Sequence, residues 1–330
     1  MFESVSRLLK NKSVVFTWVV SYISVLLIPI AISGIVYFQT LKIVEAGVVE
    51  NNLTVLSNIQ KDIDGLVSNN ESINIQLLLN RNVQTIASAD ANDLDSVLIE
   101  MNDFAREISN YKMIAKEANE LFVFFNNNNM IIGPNAVTDN KFYFYSHGLN
   151  NYLSDDQWHN ELTKFSEGTY IKLTNKLGGN KQIMYSKTLS LDKNQSNKSK
   201  ATFVAIFNDD IFMNSVKNIS YMNNSDSAII IAGKSSVLVS TNDKYNEAVL
   251  SSEASVEDKG CNYIEINGKK MVLTYIKSQF TDWRYICLIP ENVFWERMEL
   301  IRQILIVGLI ISLVSGLLIS YSLTKKIITH

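Results

Sequence analysis

An uncharged apolar run near the N-terminus, residues 14–38, constrains this chain more than any other feature of its sequence. About 25 helical residues, each rising about 1.5 Å, exceed the roughly 30 Å hydrocarbon core of a bilayer. A cleaved signal peptide would have a shorter apolar region ending in a small-residue cleavage site, and no Ala-x-Ala follows the run. The sequence therefore predicts a transmembrane helix over residues 13–39, kinked at Pro29.

A second uncharged run, residues 303–324, predicts another transmembrane helix near the C-terminus. Basic residues flank the two runs on their outer sides: Arg7, Lys10, Lys12, Lys325 and Lys326. Because cytoplasmic flanks are rich in Lys and Arg, both termini are expected in the cytoplasm and residues 40–302 outside it. This outer segment carries 25 basic and 32 acidic side chains without a basic stripe, so nucleic-acid binding by these residues is not expected.

The segment after the first span has helical periodicity. Residues 42–87 are predicted to form one long stalk helix, followed by a break at 90–93 and a second helix over 94–120. The stalk's apolar stripe recurs every three or four residues: Val49, Leu56, Ile59, Ile63, Leu66, Ile73 and Leu77. Asn52 and Asn70 interrupt the stripe, which fits either a register-setting contact with a second copy or a hydrated break in packing on the chain's own domain.

From residue 121 the pattern changes to short strands joined by turns. Strands are predicted at 121–125, 130–132, 141–148, 169–176, 182–191, 201–207, 227–232, 237–240, 261–266, 270–276 and 283–289. Gly178-Gly179 and Asn267-Gly268 are typical hairpin turns. Short helices are predicted at 155–162, 211–219 and 291–302. The fold class is therefore α+β, with mainly antiparallel sheets and helices on one face.

The two cysteines, Cys261 and Cys287, fall in predicted strands of the same late sheet. Outside the cytoplasm they could form a disulfide, or they could remain two small buried thiols. The sequence contains no CxxC pair, no Cys/His cluster and no catalytic or phosphate-binding motif. We therefore expect no metal, no cofactor and no enzymatic activity.

Three phrases of the sequence carry a family resemblance: LLIPIAISGIVYFQTLKIV at 26–44, NIQKDIDGLVSNNESINIQLLLNRNVQTIA at 58–87, and LLISYSLTKK at 317–326. With the order of elements, they make the chain resemble the double Cache (dCache) sensory ectodomains of bacterial receptors. The closer similarity is to membrane-bound AraC-type transcriptional regulators and to related two-component sensor histidine kinases. The resemblance extends over essentially the whole chain, but its phrases lie in the scaffold.

The resemblance implies a homodimer with a membrane-distal and a membrane-proximal PAS-like unit, whose partner is a small-molecule ligand or a solute-binding protein. It divides the chain into a cytoplasmic N-terminus (1–12), the first span (13–39), stalk and second helix (40–120), distal unit (121–222), proximal unit (223–290), exit helix (291–302), second span (303–324) and cytoplasmic stub (325–330). In such receptors the distal unit binds the ligand.

The resemblance also implies candidate ligand-binding residues in the distal unit: Tyr143, Tyr145, Trp158, Tyr185 and Asp209. An aromatic wall and one desolvated carboxylate would select an amine-bearing ligand. The arginine that usually holds an amino-acid carboxylate in this family is missing, since no Arg occurs between Arg106 and Arg284. Each candidate also has a structural alternative: Trp158 as a core anchor, Asp209 as a helix cap, and the tyrosines as core filling.

Only four residues follow Lys326, too few for an output domain. We therefore expect a receptor truncated before its output, which the resemblance suggests is a DNA-binding domain of AraC type. The alternatives are the sensor region of a histidine kinase and a non-signalling, membrane-anchored surface binding protein.

Overall fold

The computed structural model of the protein describes the backbone of residues 2–89, 94–189, 201–217, 226–251 and 257–328. In the first helix, side chains are described for residue 27 and from residue 30 onward. In the last helix, they are described for 291–295 and for most positions between 302 and 318. The predicted break at 90–93 and the end of the strand predicted at 182–191 lie outside the described residues.

Both helices and strands occur along the described residues, as expected for an α+β chain. The helices are α1 (Phe2–Leu79), α2 (Arg81–Ser88), α3 (Leu98–Ile114), α4 (Asn140–Ser146), α5 (Asp155–Thr163), α6 (Asp209–Lys217), α7 (Asn246–Ser251) and α8 (Glu291–Ile328). The strands are β1 (Glu120–Phe125), β2 (Met130–Gly133), β3 (Ala136–Asp139), β4 (Thr169–Thr174), β5 (Lys181–Leu189), β6 (Ala201–Asn208), β7 (Ala228–Ala232), β8 (Val237–Ser240), β9 (Lys259–Ile266), β10 (Lys269–Lys277) and β11 (Arg284–Pro290).

The strands form two sheets. The first has the order β3-β2-β1-β6-β5-β4 and the second the order β8-β7-β11-β10-β9. The registered pairs in both sheets are antiparallel. The α+β class with a long N-terminal helix and antiparallel sheets is therefore confirmed.

Two predicted hairpin turns have the backbone conformation that their residues favour. Gly178 and Gly179 have φ of +82° and +99°, and they join β4 to β5. Asn267 and Gly268 have φ of +52° and +74°, and they join β9 to β10. Two successive residues with positive φ match the twist of antiparallel strands, which is why these dipeptides mark hairpins.

The first sheet buries one face beneath α4 and α5. Successive side chains of a strand point to opposite faces, so Phe122, Phe124 and Met184 lie on this covered face. Here they form a core with residues from the helices above: Tyr143, Phe144, Leu149, Trp158 and Leu162. On the other face, Tyr185 contacts α1. Because both faces are covered, the seven residues of β6 before Asn208 are all buried.

The apolar stripe of α1 packs within the chain. Its members Leu56, Ile59, Ile63, Ile73 and Leu77 are buried, whereas Leu66 is half-buried. Asn70, which interrupts the stripe, donates a hydrogen bond from Nδ2 to the Tyr170 hydroxyl at 2.9 Å. Asn70 is therefore satisfied by a buried contact within the chain, and the register-setting contact with a second copy stays a prediction.

The predicted single stalk helix over 42–87 is wrong in one respect, because α1 ends at Leu79 and α2 begins at Arg81. Asn80 has extended backbone angles, φ −74° and ψ 123°, and its side chain accepts a hydrogen bond from the Val83 amide. Its Nδ2 also donates to Glu107 on α3 at 2.8 Å. Asn is a favoured N-cap, and the contact with α3 holds its side chain in place at the start of α2.

The predicted strand over 141–148 is also wrong, because these residues form α4 instead. The side chain of Asp139 accepts hydrogen bonds from the amides of Lys141 and Phe142 and so caps the helix. Tyr143 and Phe144 are both buried, while Tyr145 faces solvent. Burial of two neighbouring residues is typical of a helix, whereas in a strand burial would alternate. The aromatic alternation suggested a strand, but the capping bonds and the packing on β1 favour a helix.

The second helix is shorter than the predicted 94–120. It begins with a 3-10 turn at Leu94–Val97 and ends at Ile114, and β1 starts six residues later at Glu120. Ala115 leaves the helical region with φ −91° and ψ 52°. Pairing of Glu120 with Ile206 of β6 requires an extended chain at this point, which overrides the helical tendency of the preceding residues.

The two cysteines lie in one sheet, as predicted, but not on adjacent strands. Cys261 is on β9 and Cys287 on β11, with β10 between them. Two strand spacings of about 4.8 Å separate their backbones by about 10 Å, whereas a disulfide needs Cα atoms within about 7 Å. The structure accordingly has no disulfide between them. Cys287 is buried, as in the second of the two alternatives, whereas Cys261 is half-buried.

The chain divides into two units, one holding Leu53–Leu288 and the other the residues before and after it. Among the residues whose side chains are described, one helical segment, Ile30–Leu79, contains an 18-residue stretch that is apolar enough to cross a membrane, with a mean hydropathy of 1.3. Most of the predicted first span, 13–39, precedes this segment. The predicted second span lies within α8, where the described residues show only a shorter apolar segment, Arg302–Gly316.

Candidate functional site

Two of the predicted ligand-binding residues meet in the core of the first sheet. Trp158 on α5 is 2% exposed, and its indole Nε1 donates to Asn140 Oδ1 at 2.7 Å. Its ring stacks on Phe144 at a centroid distance of 5.5 Å. Tyr143 lies in the same cluster and contacts Phe122 at 4.8 Å. Their location is that of core residues, and Tyr143 alone extends a polar group to the edge of the core.

The other three candidates lie elsewhere. Tyr145 is 51% exposed, and its hydroxyl lies 3.4 Å from Asp155. Tyr185 follows Met184 on β5, so it points away from the covered face and towards α1. Asp209 begins α6 directly after β6. The five residues therefore do not converge on one place.

A polar cluster lies where the covered face ends, at the start of β1. The Tyr143 hydroxyl donates to Glu120 Oε2 at 2.8 Å, and His147 Nε2 lies 3.9 Å from the same oxygen. The rings of Tyr143 and His147 stack at 3.8 Å. The Glu120 and His147 side chains keep 33% and 35% of their exposure, so solutes can reach both. This group, the Glu120 cluster, is an accessible charged site next to the core of the first sheet.

Glu120 is not among the residues predicted from the sequence, because it directly precedes an apolar strand and has no motif around it. The available signal was positional: a carboxylate at a strand end, beside an aromatic helix, lies at the margin of a core.

Lysines could replace, as point charges, the arginine that usually holds an amino-acid carboxylate. Lys164 and Lys187 are instead paired with Glu161 and Glu71. Burial and the nearby Lys181 lower the pKa of Lys172, whereas Asp243 and Asp209 oppose this shift.

A second polar cluster joins α1 to the first sheet. The Tyr185 hydroxyl donates to Glu71 Oε1 at 2.7 Å, and Lys187 Nζ bonds the other carboxylate oxygen. Tyr185 and Lys187 are two residues apart on β5 and therefore share a face. We call these three residues the Glu71 clamp.

A third cluster joins α1 to the second sheet. Asp64 is only 4% exposed, and its carboxylate accepts hydrogen bonds from the Ser278 hydroxyl at 2.6 Å, the Gln279 amide at 2.9 Å and the Tyr285 hydroxyl at 2.7 Å. Nearby, Gln60 Nε2 donates to the Lys277 carbonyl. We call Asp64, Ser278, Gln279 and Tyr285 the Asp64 anchor. It orders the connection between β10 and β11, because Ser278 also accepts from the amides of residues 280 and 281.

Aromatic rings connect the clamp and the anchor. Tyr170 on β4 contacts Tyr185 at 4.7 Å and Trp283, next to β11, at 4.7 Å. Since Asn70 of α1 donates to the Tyr170 hydroxyl, the helix contacts this aromatic group between its two carboxylates. One stretch of α1, residues 60–71, thus contacts both sheets through polar side chains.

The buried tyrosines of these clusters are held in the neutral form. Burial, and then the adjacent carboxylate, raises the pKa of Tyr143, Tyr185 and Tyr285 far above the ordinary value of 10.0. Burial also raises the pKa of Tyr170. Such a hydroxyl can donate to a carboxylate over the whole physiological range of pH.

These shifts predict alkaline destabilisation. Above pH 10 the unfolded chain releases the phenolic protons that the folded chain keeps, so the free energy of unfolding falls by about 1.4 kcal/mol per pH unit for each tyrosine. Below pH 10 this contribution is fully present. Urea unfolding of the Tyr285→Phe variant at pH 9, 10 and 11 should show a shallower decline than the unmodified chain. Equal slopes would contradict the raised pKa.

Among the residues that the structure describes, no group of three or more His, Cys, Asp or Glu side chains is arranged to hold a metal ion. The clusters consist of carboxylates satisfied by hydroxyls, amides and ammonium groups. Such groups can bind and orient a polar solute or fasten one element to another.

No protein-family model and no curated protein matches this chain. Among solved structures, it is similar to the sensory domain of the Campylobacter jejuni chemoreceptor Tlp3 with isoleucine bound, at 10% identity and TM-score 0.42, over 77% of this chain and 96% of that one. It is also similar to the ligand-binding domain of the Pseudomonas aeruginosa amino-acid chemoreceptor PctC in complex with GABA, at 10% identity and TM-score 0.42, over 75% and 99%. A third similarity, at 9% identity and TM-score 0.42 over 78% and 96%, is to the ligand-binding domain of the Pseudomonas fluorescens chemoreceptor CtaA with L-isoleucine. At such identities and scores, the similarity assigns neither a ligand nor a function to this chain.

Proposed function

We propose that this chain is the extracytoplasmic sensing and signal-transmitting part of a bacterial membrane receptor. The observation that carries the proposal is that α1 includes the candidate membrane segment and also fastens both antiparallel sheets through Asp64 and Glu71. A helix with these two properties is suited to transmit a change in the sheets towards a membrane, provided that a ligand binds one state of the sheets more tightly than the other.

In this proposal the protein is a multi-pass membrane protein with both termini cytoplasmic and with residues 40–302 outside. The first sheet belongs to a membrane-distal PAS-like unit, 121–222, and the second to a proximal unit, 223–290, as in a double Cache receptor. The receptor acts as a homodimer. Its output is a DNA-binding domain of AraC type or, alternatively, a histidine kinase.

We place the ligand site at the edge of the first sheet. Glu120 supplies a carboxylate there, Tyr143 supplies the aromatic ring, and His147 is within reach of the same solute. Asp209, which begins α6 directly after the neighbouring strand β6, is the second candidate carboxylate. Trp158 supports the site from the core, and Tyr145 lies at its rim. Tyr185 lies on the opposite face of the sheet, so ligand binding would affect it only through movement of β5. Carboxylates beside an aromatic ring favour a small molecule with an amine group.

A thermal-shift screen of the full chain in lipid nanodiscs tests this function. Amino acids, polyamines, organic acids and sugars are the library. A ligand at one hundred times its dissociation constant adds about 2.7 kcal/mol to stability, which shifts the melting curve measurably. We expect an amine-bearing compound to stabilise the chain, and the Glu120→Gln and Asp209→Asn variants to lose that stabilisation.

The matched control is Glu247→Gln, which neutralises an exposed carboxylate on α7 and should keep the full shift. A shift that survives both Glu120→Gln and Asp209→Asn would place the ligand elsewhere. If no compound shifts the melting curve, direct sensing of these small molecules is wrong, and a solute-binding protein becomes the partner to test.

A further inference from the structure

We propose that the Glu71 clamp is a releasable attachment between α1 and the first sheet, and that the Asp64 anchor is a fixed pivot between α1 and the second sheet. The inference rests on the sensory function proposed above and names the contact through which the first sheet would act on α1. It follows from the differing chemistry and burial of two carboxylates on one helix.

The Asp64 anchor is built to stay closed. The carboxylate of Asp64 is almost fully buried, and its three donors are a serine hydroxyl, a backbone amide and a tyrosine hydroxyl. None of these donors is a cation, so added salt has no ion pair to screen. Opening would leave a charge without donors in a dry environment, which is one of the costliest states for a protein side chain.

The Glu71 clamp has the opposite character. The side chains of Glu71 and Lys187 keep 33% and 22% of their exposure, so both ions can be hydrated when they separate. Partly exposed ion pairs are weak and are screened by salt.

The positions of the two groups on α1 suit a pivot and a moving contact. Glu71 lies seven positions after Asp64, which is about two helical turns or about 10 Å, on the same side of the helix. A small rotation of α1 about the anchor would therefore displace the clamp. The second sheet would stay attached during this movement.

β5 connects the clamp to the core of the first sheet. Met184 packs in the cluster with Trp158 and Tyr143, and the next residue, Tyr185, bonds Glu71 on the other side of the sheet. A shift of β5 caused by a ligand at the covered face would therefore be felt directly at the clamp. Gly168 closes over the clamp with φ +114°, and a Cβ there would lie 3.2 Å from Glu71 Oε1, so the contact is tightly fitted.

Tyr185 and Tyr285 offer matched probes of the clamp and the anchor, since each donates a hydrogen bond to a carboxylate of α1. Fluorotyrosine is incorporated at position 185 or at position 285 of the full chain in nanodiscs, and its ¹⁹F NMR resonance is recorded as NaCl rises from about 0.1 to about 1 M. This change shortens the Debye length from about 10 to about 3 Å. We expect the resonance at 185 to move or split with salt and the resonance at 285 to stay in place.

Variants of Lys187 distinguish release of the Glu71 clamp from a general loosening of the structure. Lys187→Met should hold the 185 resonance at its high-salt position at every salt concentration, and Lys187→Arg should restore the salt dependence. Lys164→Met, which breaks the Glu161 pair on α5, is the control and should leave both resonances unchanged. A 185 resonance that ignores both salt and Lys187→Met, or a 285 resonance that moves as much, would overturn the proposal.

The compound found in the thermal-shift screen then tests coupling. Movement of the 185 resonance towards its released position on binding supports the clamp as the transmitting contact. Binding without such movement refutes the clamp but leaves the sensory function intact. If no compound binds while salt and Lys187→Met still release Tyr185, the releasable clamp is supported and direct sensing of these small molecules is refuted.

Discussion

Replacement of Asp64 by alanine is expected to lower the free energy of unfolding by about 3 kcal/mol, a large fraction of the stability of a typical domain. The substitution removes the acceptor for three hydrogen bonds and leaves the Tyr285 hydroxyl buried without its partner. It also frees the connection between β10 and β11, which Ser278 organises beside the carboxylate. Urea titration of the detergent-solubilised chain, followed by circular dichroism, measures the loss.

Asp62→Ala is the matched control for this prediction. Asp62 lies on the same helix two residues away, but it is exposed. Surface substitutions usually change stability by less than about 0.5 kcal/mol, so the control should unfold almost like the unmodified chain. Equal effects of Asp62→Ala and Asp64→Ala would show that helix propensity, and not the anchor, determines the result.

Replacement of Trp158 by alanine is expected to cost about 4 kcal/mol, within the range for removing a large buried aromatic side chain. The substitution opens a cavity beside Phe122 and Phe144 and leaves the Asn140 side chain without its indole donor. The same urea titration measures the loss. A large destabilisation would show that Trp158 is a core residue. Loss of ligand binding in this variant would then not show that Trp158 contacts the ligand.

Tyr145→Ala is the control for Trp158→Ala, because α4 and α5 cover the same face of the first sheet. Tyr145 is exposed on α4, with a long contact to Asp155 and an edge contact with the Phe144 ring at 5.2 Å, so its truncation should change stability by less than about 0.5 kcal/mol. If Trp158→Ala were as mild as Tyr145→Ala, the close packing of the Trp158 ring would be contradicted. In that case Trp158 would return as a candidate for direct ligand contact.

Local sequence signals predicted most of the elements. Hairpin dipeptides such as Asn267-Gly268 work as signals because positive φ is a property of the residues themselves. The strand β6 was recognised because seven successive buried positions need an apolar run. The strand predicted where α4 forms was wrong, because the aromatic residues alternate in the sequence. The interactions that determine the helix are the Asp139 cap and burial against β1.

The candidate site was less predictable than the fold. The residues singled out for their type, Tyr143, Trp158 and Tyr185, are all buried, but Tyr185 points to the opposite side of the sheet from the other two. Glu120 and Glu71 were missed because a single carboxylate has no local signature. Their partners come from other elements, and only the packing of those elements brings them within hydrogen-bonding distance.

The sequence by itself determined the apolar segments, the helical and strand periods and the turns, because each depends on residues within a few positions of one another. The tertiary structure alone decided which polar groups of α1 meet which strands. Glu71 and Tyr185 are 114 residues apart, and Asp64 and Tyr285 are 221 residues apart. Contacts over such separations depend on how sheets and helices pack, and a buried carboxylate is tolerated only where that packing supplies its donors.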